Sequence, residues 1–214
     1  MITFSHVTVM QPKTTHAILR DVSLHIGPRE RVGIMAATGS GKTTIARLLT
    51  GVETPDRGRV SVRDVSWPLG YAGFLHPNLR VAENLRLIAR LLGQYPAHFT
   101  SLVCHLAEVP HDAAVRDLAP SQRAVLAYMC AMAVPGRMLI ADDTLTVGDA
   151  QMRRKCGALL RQRLNTNGLV FLSRNPRQMR QHCTRIFALC QGRLIPCETP
   201  DRAQLLLMKE AEYA

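Results

Sequence analysis

Gly41, Lys42 and Thr43 close the stretch AATGSGKTT, Ala36 to Thr44, and their types and spacing suit one task, the grip on a phosphate chain. A glycine-rich turn aims backbone N–H groups inward, and the first turn of a following helix adds partial positive charge. Gly39 and Gly41 meet the need for such a turn. Lys42 would carry a cation to the β- and γ-phosphates, and the Thr43 hydroxyl is a hard ligand for Mg2+. The candidate nucleotide-binding residues are therefore Ala36, Thr38, Gly39, Ser40, Gly41, Lys42, Thr43 and Thr44. The usual spacing is G-x-x-x-x-G-K-[ST], and Ala36 stands where its first glycine belongs. If the backbone there needs a left-handed conformation or a close approach, the extra Cβ costs about 1–2 kcal/mol.

A P-loop also needs a carboxylate at the end of a buried strand, set to hold the magnesium shell. RMLIADD, Arg137 to Asp143, supplies it in Asp142, which with Thr43 forms the expected metal pair. Asp143 follows directly. Positioning these groups takes strand, loop and helix in that order. RVGIM (31–35) is a compact apolar strand running into the loop, and KTTIARLLTG has helical periodicity ended by Gly51.

The rest of the chain reads as the body that carries this corner. ITFSHVTV and AILRDVSLHI alternate like half-buried strands, GPRE is a turn, and a further strand follows the turn at Pro55 to Gly58. From Val81 to Val134 the pattern is helical, with Leu85, Ile88, Leu91 and Leu92 predicted to share one face. After Pro135 come the strand RMLIAD, the helix GDAQMRRKCGALLRQRL, the strands GLVFLS and RIFALC, and a last helix, DRAQLLLMKE. Strands alternating with helices imply a mostly parallel sheet covered on both faces. The expected fold class is α/β: a P-loop NTPase core with an N-terminal antiparallel β region and an inserted helical subdomain. The expected organisation is one nucleotide-binding domain over 1–214, with 1–79 and 135–214 as the α/β core and 80–134 as the helical subdomain.

Composition narrows the classes further. Apolar residues make up 47% of the 214, enough for a full core. The longest apolar run, AVLAYMCAMAV, falls well short of the ~20 residues that span a bilayer and reads as a buried helix. The first residues lack a charged head and apolar segment, so a secretory signal is not expected. Six cysteines without a C-x-x-C pair argue against a zinc site or a disulfide framework and are expected to be small buried hydrophobes. The net charge of +11 favours an anionic partner: nucleotide, nucleic acid or an acidic membrane face. The densest basic stretch, Met152 to Arg163, has helical spacing and reads as a solvated face.

The order of P-loop, HPNLRVAENL, LAPSQRAVLAYMCAMA, RMLIADDTLTVGDA and GLVFLSRNPRQMRQHCTRIFALCQGRL resembles, over nearly the whole chain, the ATP-binding subunit of an ABC transporter. VSWPLGYAGF and TVGDA are similar to the branch that exports capsular polysaccharide. The resemblance implies a head-to-tail pair of subunits, with ATP clamped between one P-loop and the partner's signature segment, typically L-S-G-G-Q. Leu118, Ala119, Pro120, Ser121 and Gln122 match it, with Leu118, Ser121 and Gln122 as the signature-like contacts; both glycines are replaced, and Pro120 has no N–H to offer. Asp143 falls where the family places a glutamate that polarises the attacking water, and a misplacement of roughly 1 Å can cost on the order of 10²-fold in rate. Arg174 falls at the switch histidine; it neutralises charge but cannot accept a hydrogen bond. Asp143 and Arg174 are thus the implied catalytic positions. Gln11 lies where an adenine-stacking aromatic is usual, and Tyr71 to His76 contains no glutamine where a Q-loop has one.

By the same resemblance the cofactors are ATP and Mg2+. The partners are membrane-spanning permease subunits, and a second copy of the chain or another ABC ATPase. The place is the cytoplasmic face of the inner membrane, held peripherally, with the coupling surface around Tyr71 to Asn84. The implied function is to energise glycan export with weakened hydrolysis. One alternative is a degenerate regulatory or structural partner of an intact ABC ATPase. A nucleic-acid-directed ABC ATPase ranks low, because such chains usually carry two sets of motifs and this one has a single set.

Overall fold

The computed structural model describes residues 1–11, 16–134 and 137–212. The chain forms two compact units: Met1–Pro68 with Gly136–Asp143 and Thr166–Ala214, and Leu69–Pro135 with Thr144–Asn165.

The first unit is built on two sheets. β1 (Ile2–Met10) pairs antiparallel with β2 (Ala17–Ile26) on one side and β4 (Arg57–Val62) on the other. Alternation in β1 buries Ile2, Phe4, Val7 and Val9. It slips once, where Ser5 and His6 are both exposed and His6 takes φ 50°, a bulge that returns Val7 to the core. The second sheet has the order β5 (Val65–Pro68), β6 (Met138–Asp142), β7 (Leu169–Ser173), β3 (Arg31–Met35), β8 (Arg185–Cys190), β9 (Arg193–Cys197). Its pairs are parallel except β8 with β9. The first sheet and α1 (Lys42–Leu49) share one apolar core with the second, in which Val32, Ile34, Ile45, Leu48, Ile140, Val170 and Leu172 are at most 1% exposed. The other flank of β3 meets α6 (Pro176–His182) and α7 (Pro200–Glu212), so the central strands are buried throughout and read as unbroken apolar runs.

Register then fixes what emerges where. Met35 pairs with Ser173, and Asp142 with Leu172, so the segments that follow β3, β6 and β7 leave the sheet side by side at its carboxyl edge. Open α/β sheets hold ligands at that edge.

The second unit contains α2 (Val81–Leu91), α3 (Pro96–Ala107), α4 (Pro120–Ala133) and α5 (Ala150–Leu164). α2 buries Val81, Ala82, Leu85, Ile88 and Ala89, but Leu91 is 74% exposed, which corrects the expectation of a face shared by Leu85, Ile88, Leu91 and Leu92. Leu91 lies six residues beyond Leu85, about 120° round the helix from it, and so falls off the stripe. Val125 to Met132 of α4 are all buried, as the apolar run predicts. The Tyr128 hydroxyl lies 3.1 Å from the carbonyl oxygens of Leu145 and Cys156 and ties α4 to the segment carrying α5. TVGDA gains a local reason here: Gly148 takes φ 87° and Asp149 caps α5 by accepting the Met152 N–H at 2.8 Å. All six cysteines are free; Cys130 and Cys156 are buried and the other four only partly, which corrects the expectation of six buried thiols. Among the described residues no helix is long and apolar enough to cross a membrane.

Candidate nucleotide site

β3 hands the chain to a loop, Ala36 to Gly41, that bends into α1. Gly39 has φ 80° and Gly41 φ 92°. A Cβ built on Gly41 would also stand 2.3 Å from Cγ2 of Ile18, so glycine is demanded twice there, by backbone conformation and by contact with β2. Ala36 differs. It is fully buried, its N–H donates to Ser173 O at 3.3 Å, and it is not among the non-glycine residues with positive φ. No left-handed strain therefore attaches to alanine at this position.

The loop is curled around its own lysine. Lys42 Nζ donates to Ala37 O at 3.1 Å and reaches Ala36 O at 3.5 Å, while the Ser40 hydroxyl donates to Ala37 O at 2.7 Å. Lys42 also faces Asp143 Oδ2 at 3.7 Å, with the lysine side chain 10% exposed and the aspartate 49%. Asp143 achieves this by turning to φ 55° while its N–H donates to Leu172 O at 2.8 Å. Asparagine and aspartate tolerate that conformation better than most residues do.

Thr43 and Asp142 meet directly, the hydroxyl donating to Oδ2 at 3.0 Å. Burial pushes the Asp142 carboxyl above its ordinary value, the Thr43 hydrogen bond opposes that, the neighbouring charge of Asp143 adds to it, and Lys42 opposes it. Among the described residues no group of three or more His, Cys, Asp or Glu could cage a metal by itself. A threonine hydroxyl beside one carboxylate fits Mg2+ nonetheless, because that ion is commonly held by one or two protein oxygens, several waters and substrate phosphates. Thr38 is brought in from the opposite side, where Arg174 Nη1 donates to its hydroxyl at 3.1 Å. A cleft of about 470 Å³ lies over Lys42, Thr43 and Thr44, with Gln11 and Ile18 on its wall. Ile18 was not foreseen as part of it; an apolar residue opening a strand carries no local mark of a binding role.

The signature-like segment belongs to the helical unit and is described there by itself. Leu118 is buried at 5% exposure. Ala119 precedes α4 and its N–H donates to the Gln122 side chain at 2.9 Å; Pro120 occupies the first helical position. Ser121 remains exposed. The segment from Tyr71 to Asn84 has an organiser that the sequence reading missed: buried Asn84 accepts the His76 N–H at 2.8 Å and gives its amide to the carbonyls of His76, Leu79 and Arg80.

A glycine loop between a central parallel strand and a helix, with an aspartate on the strand two places away, defines a phosphate-loop, nucleotide-binding α/β chain. Residues 19–146 match the model of the ABC transporter family, and the chain belongs to that family; in enzyme class it is an ABC-type ATPase. It is 28% identical over 209 residues to the capsule polysaccharide export ATP-binding protein CtrD of Neisseria meningitidis, covering 95% of this chain and 96% of that one. It is 27% identical to the ATP-binding protein BexA of Haemophilus influenzae, covering 87% of each, and 26% identical to the polysialic acid transport ATP-binding protein KpsT of Escherichia coli, covering 80% and 79%. A bacterial ABC transporter cassette solved as a dimer shares the fold, with a TM-score of 0.69 at 22% identity over 91% of this chain and 96% of that one.

Proposed function

We propose that the chain is the ATP-binding subunit of a system that exports capsular polysaccharide or a related glycan across the inner membrane, and that it binds Mg-ATP well but hydrolyses it slowly. The observation that carries the binding half is the cluster at one sheet edge in which the Thr43 hydroxyl donates to Asp142 at 3.0 Å and Lys42 Nζ lies 3.7 Å from Asp143. The names of the relatives support the glycan.

Each residue has a task in this reading. Backbone N–H groups from Gly39 to Thr44 receive the phosphate oxygens, and Lys42 exchanges its loop carbonyls and Asp143 for phosphate. Thr43 and Asp142 hold Mg2+, which when bound supplies charge stabilisation at the transferring phosphoryl group. Asp143 orients the attacking water from a side chain one methylene shorter than glutamate. Arg174 leaves Thr38 and adds positive charge near the γ-phosphate, without the acceptor that a neutral imidazole provides.

Slow turnover follows from Asp143, from Arg174, and from the start of α4, where Pro120 lacks an N–H and that of Ala119 is already taken. The subunit works as a homodimer, or paired with another ABC ATPase, on membrane-spanning permease subunits at the cytoplasmic face of the inner membrane. The closed start of α4 also favours a second reading, a degenerate partner that lends one weak site to an intact ATPase. Mg-ATP binding and turnover, measured for the purified protein beside Lys42→Ala and Asp143→Glu, test both. Binding lost in Lys42→Ala, with slow turnover that Asp143→Glu raises, supports the motor; binding without any turnover in either wild type or Asp143→Glu favours the partner. A wild type that binds no nucleotide sinks the motor and leaves the chain's role to its partners.

A further inference from the structure

A cavity of about 360 Å³ lies between β2 and the β8–β9 hairpin and shares no residue with the cleft over Lys42. All of it belongs to the first unit. β2 is an outer strand of the antiparallel sheet and β9 an outer strand of the larger one, so the cavity is the gap left where two sheet edges come together. They are tied where the Arg20 N–H donates to Gly192 O at 2.7 Å, and again further along β2, where Arg185 Nη1 donates to His25 O at 3.0 Å.

An added strand is a poor fit for this gap. Both ties spend backbone groups of β2, Asp21 at φ 50° bulges the strand between them, and Pro196 gives β9 no N–H. What the gap offers is side chains. Val22, Leu24, Phe187 and Leu194 make an apolar floor, and the Arg185 guanidinium lies 4.9 Å from the Phe187 ring centroid. Arg20 and Arg193 stand exposed on the rim, and among the described residues neither forms an ion pair. The contact of Arg20 with Gly192 brings their backbones together, so both guanidiniums issue from one corner. Beside them Asp21 faces His6 Nδ1 at 2.9 Å, and the Ser23 hydroxyl oxygen accepts the His6 N–H at 3.0 Å, which leaves its own proton to donate.

Two unpaired guanidiniums call for an anion, and each matches a carboxylate with two parallel hydrogen bonds. The Asp21 carboxylate and the Ser23 hydroxyl suit hydroxyl groups on the same ligand, and the floor suits a ring with C–H faces. Bare phosphate has neither. The bases of a nucleic acid stack on exposed aromatic rings, and Phe187 is only 5% exposed. The volume falls within the ~300–1,000 Å³ of small-molecule sites.

We propose that this cavity binds an acidic sugar, with Arg20 and Arg193 on its carboxylate, Asp21 and Ser23 on its hydroxyls, and the apolar floor beneath its ring. The assignment rests on the reading of the chain as the subunit of a glycan exporter and deepens it: the ATP-binding subunit makes its own contact with the cargo or with the sugar from which the cargo is made.

The test is calorimetry on the purified protein with hexamers of galacturonate and of N-acetylneuraminate, with their monomers, and with neutral maltohexaose and hexaglutamate. At least one acidic hexamer should bind, and maltohexaose should not. Arg20→Ala, which keeps the backbone tie to Gly192, and Arg193→Ala should each weaken that binding about tenfold. Arg59→Ala, which removes the same charge from β4 outside the cavity, should leave it unchanged. Mg-ATP affinity should stay at the wild-type value in all three variants, which reports that they are folded. A hexamer bound far more tightly than its monomer makes the polymer the source of the acid, and equal affinities make it the free sugar; both keep the site. Hexaglutamate bound as tightly as the acidic hexamers, or a loss in Arg59→Ala as large as in the cavity variants, reduces the effect to net charge and overturns the proposal. A wild type that binds Mg-ATP but neither sugar acid sinks this site alone, whereas absence of Mg-ATP binding is the failure of the motor reading.

Discussion

The loop before α1 and the loop before α4 are both short turns opening a helix, and they treat their backbone donors in opposite ways. At α1 no side chain caps the helix, no acidic residue stands in its first turn, and Gly39 and Gly41 hold the turn open in conformations that other residues rarely adopt. At α4 one N–H is absent at Pro120 and the one before it is spent on Gln122, which leaves only those of Ser121 and Gln122 among the first four. Both begin with a small-residue segment and lead into helices packed on a core. The difference shows that a helix start becomes an anion site by what its own chain withholds from it. α1 leaves donors and charge for a ligand; α4 keeps only two of its four positions as free donors.

The largest expected effect breaks the α1 side of this contrast. Asp142→Asn keeps the shape of the corner and the acceptor for Thr43 but removes the charge proposed to hold Mg2+. Mg-ATP affinity should fall on the order of 10²-fold, with affinity for ATP in chelator little changed. Titration calorimetry with and without Mg2+ checks it. An equal loss in both conditions would mean that Asp142 only braces the loop.

The next effect separates two positions within the loop. Gly41→Ala forces φ 92° on a residue with a Cβ and drives that Cβ to 2.3 Å from Ile18, so unfolding stability should drop by about 1–3 kcal/mol. Ala36→Gly restores the usual motif yet relieves no strain, and should cost roughly 0.4–1 kcal/mol through the freer unfolded chain. Denaturant melts of the two variants make the comparison, and a stabilised Ala36→Gly would show that alanine is a defect after all.

A smaller change should open α4. Ala119→Ser with Pro120→Gly returns an N–H and a hydroxyl to the segment that faces the partner's nucleotide in the proposed dimer. Turnover at saturating Mg-ATP should rise about tenfold, while single-chain affinity stays as it was. A phosphate-release assay beside calorimetry distinguishes the two; a rise in affinity with no rise in rate would place the segment elsewhere in function.

These contrasts also mark where the sequence is readable. The P-loop and Asp142 are visible because each combines a fixed spacing with a neighbouring element of the right period, and their conjunction leaves little room for chance. β5 and β9 escaped, and so did α6. Both strands are short and carry Pro68 and Pro196, which read locally as breakers, yet they lie at the two edges of the six-stranded sheet, where a proline need not donate. Whether a strand is an edge is a property of the assembled sheet. The same holds for Ile18 and Asn84, ordinary residues whose roles come from what folding sets beside them, Gly41 in one case and the His76 to Arg80 backbone in the other. Ala36 is the converse: a visible departure from the motif that carries no left-handed backbone strain.

The smallest effect turns on the proton at Asp142. Its folded value is raised, chiefly by burial, so the nucleotide-free protein gains stability from this group below its ordinary range and loses it as pH rises through the raised value. Magnesium needs the opposite form, the carboxylate. The ratio of affinities with and without Mg2+ should therefore fall by a few-fold as pH drops from neutral into the mildly acidic range, and the fall should vanish in Asp142→Asn. The nucleotide's own titration is common to both proteins and cancels in that comparison. A wild-type ratio as flat as that of the variant would mean that bound Mg2+ does not compete with the Asp142 proton, and would move the metal off the Thr43–Asp142 pair.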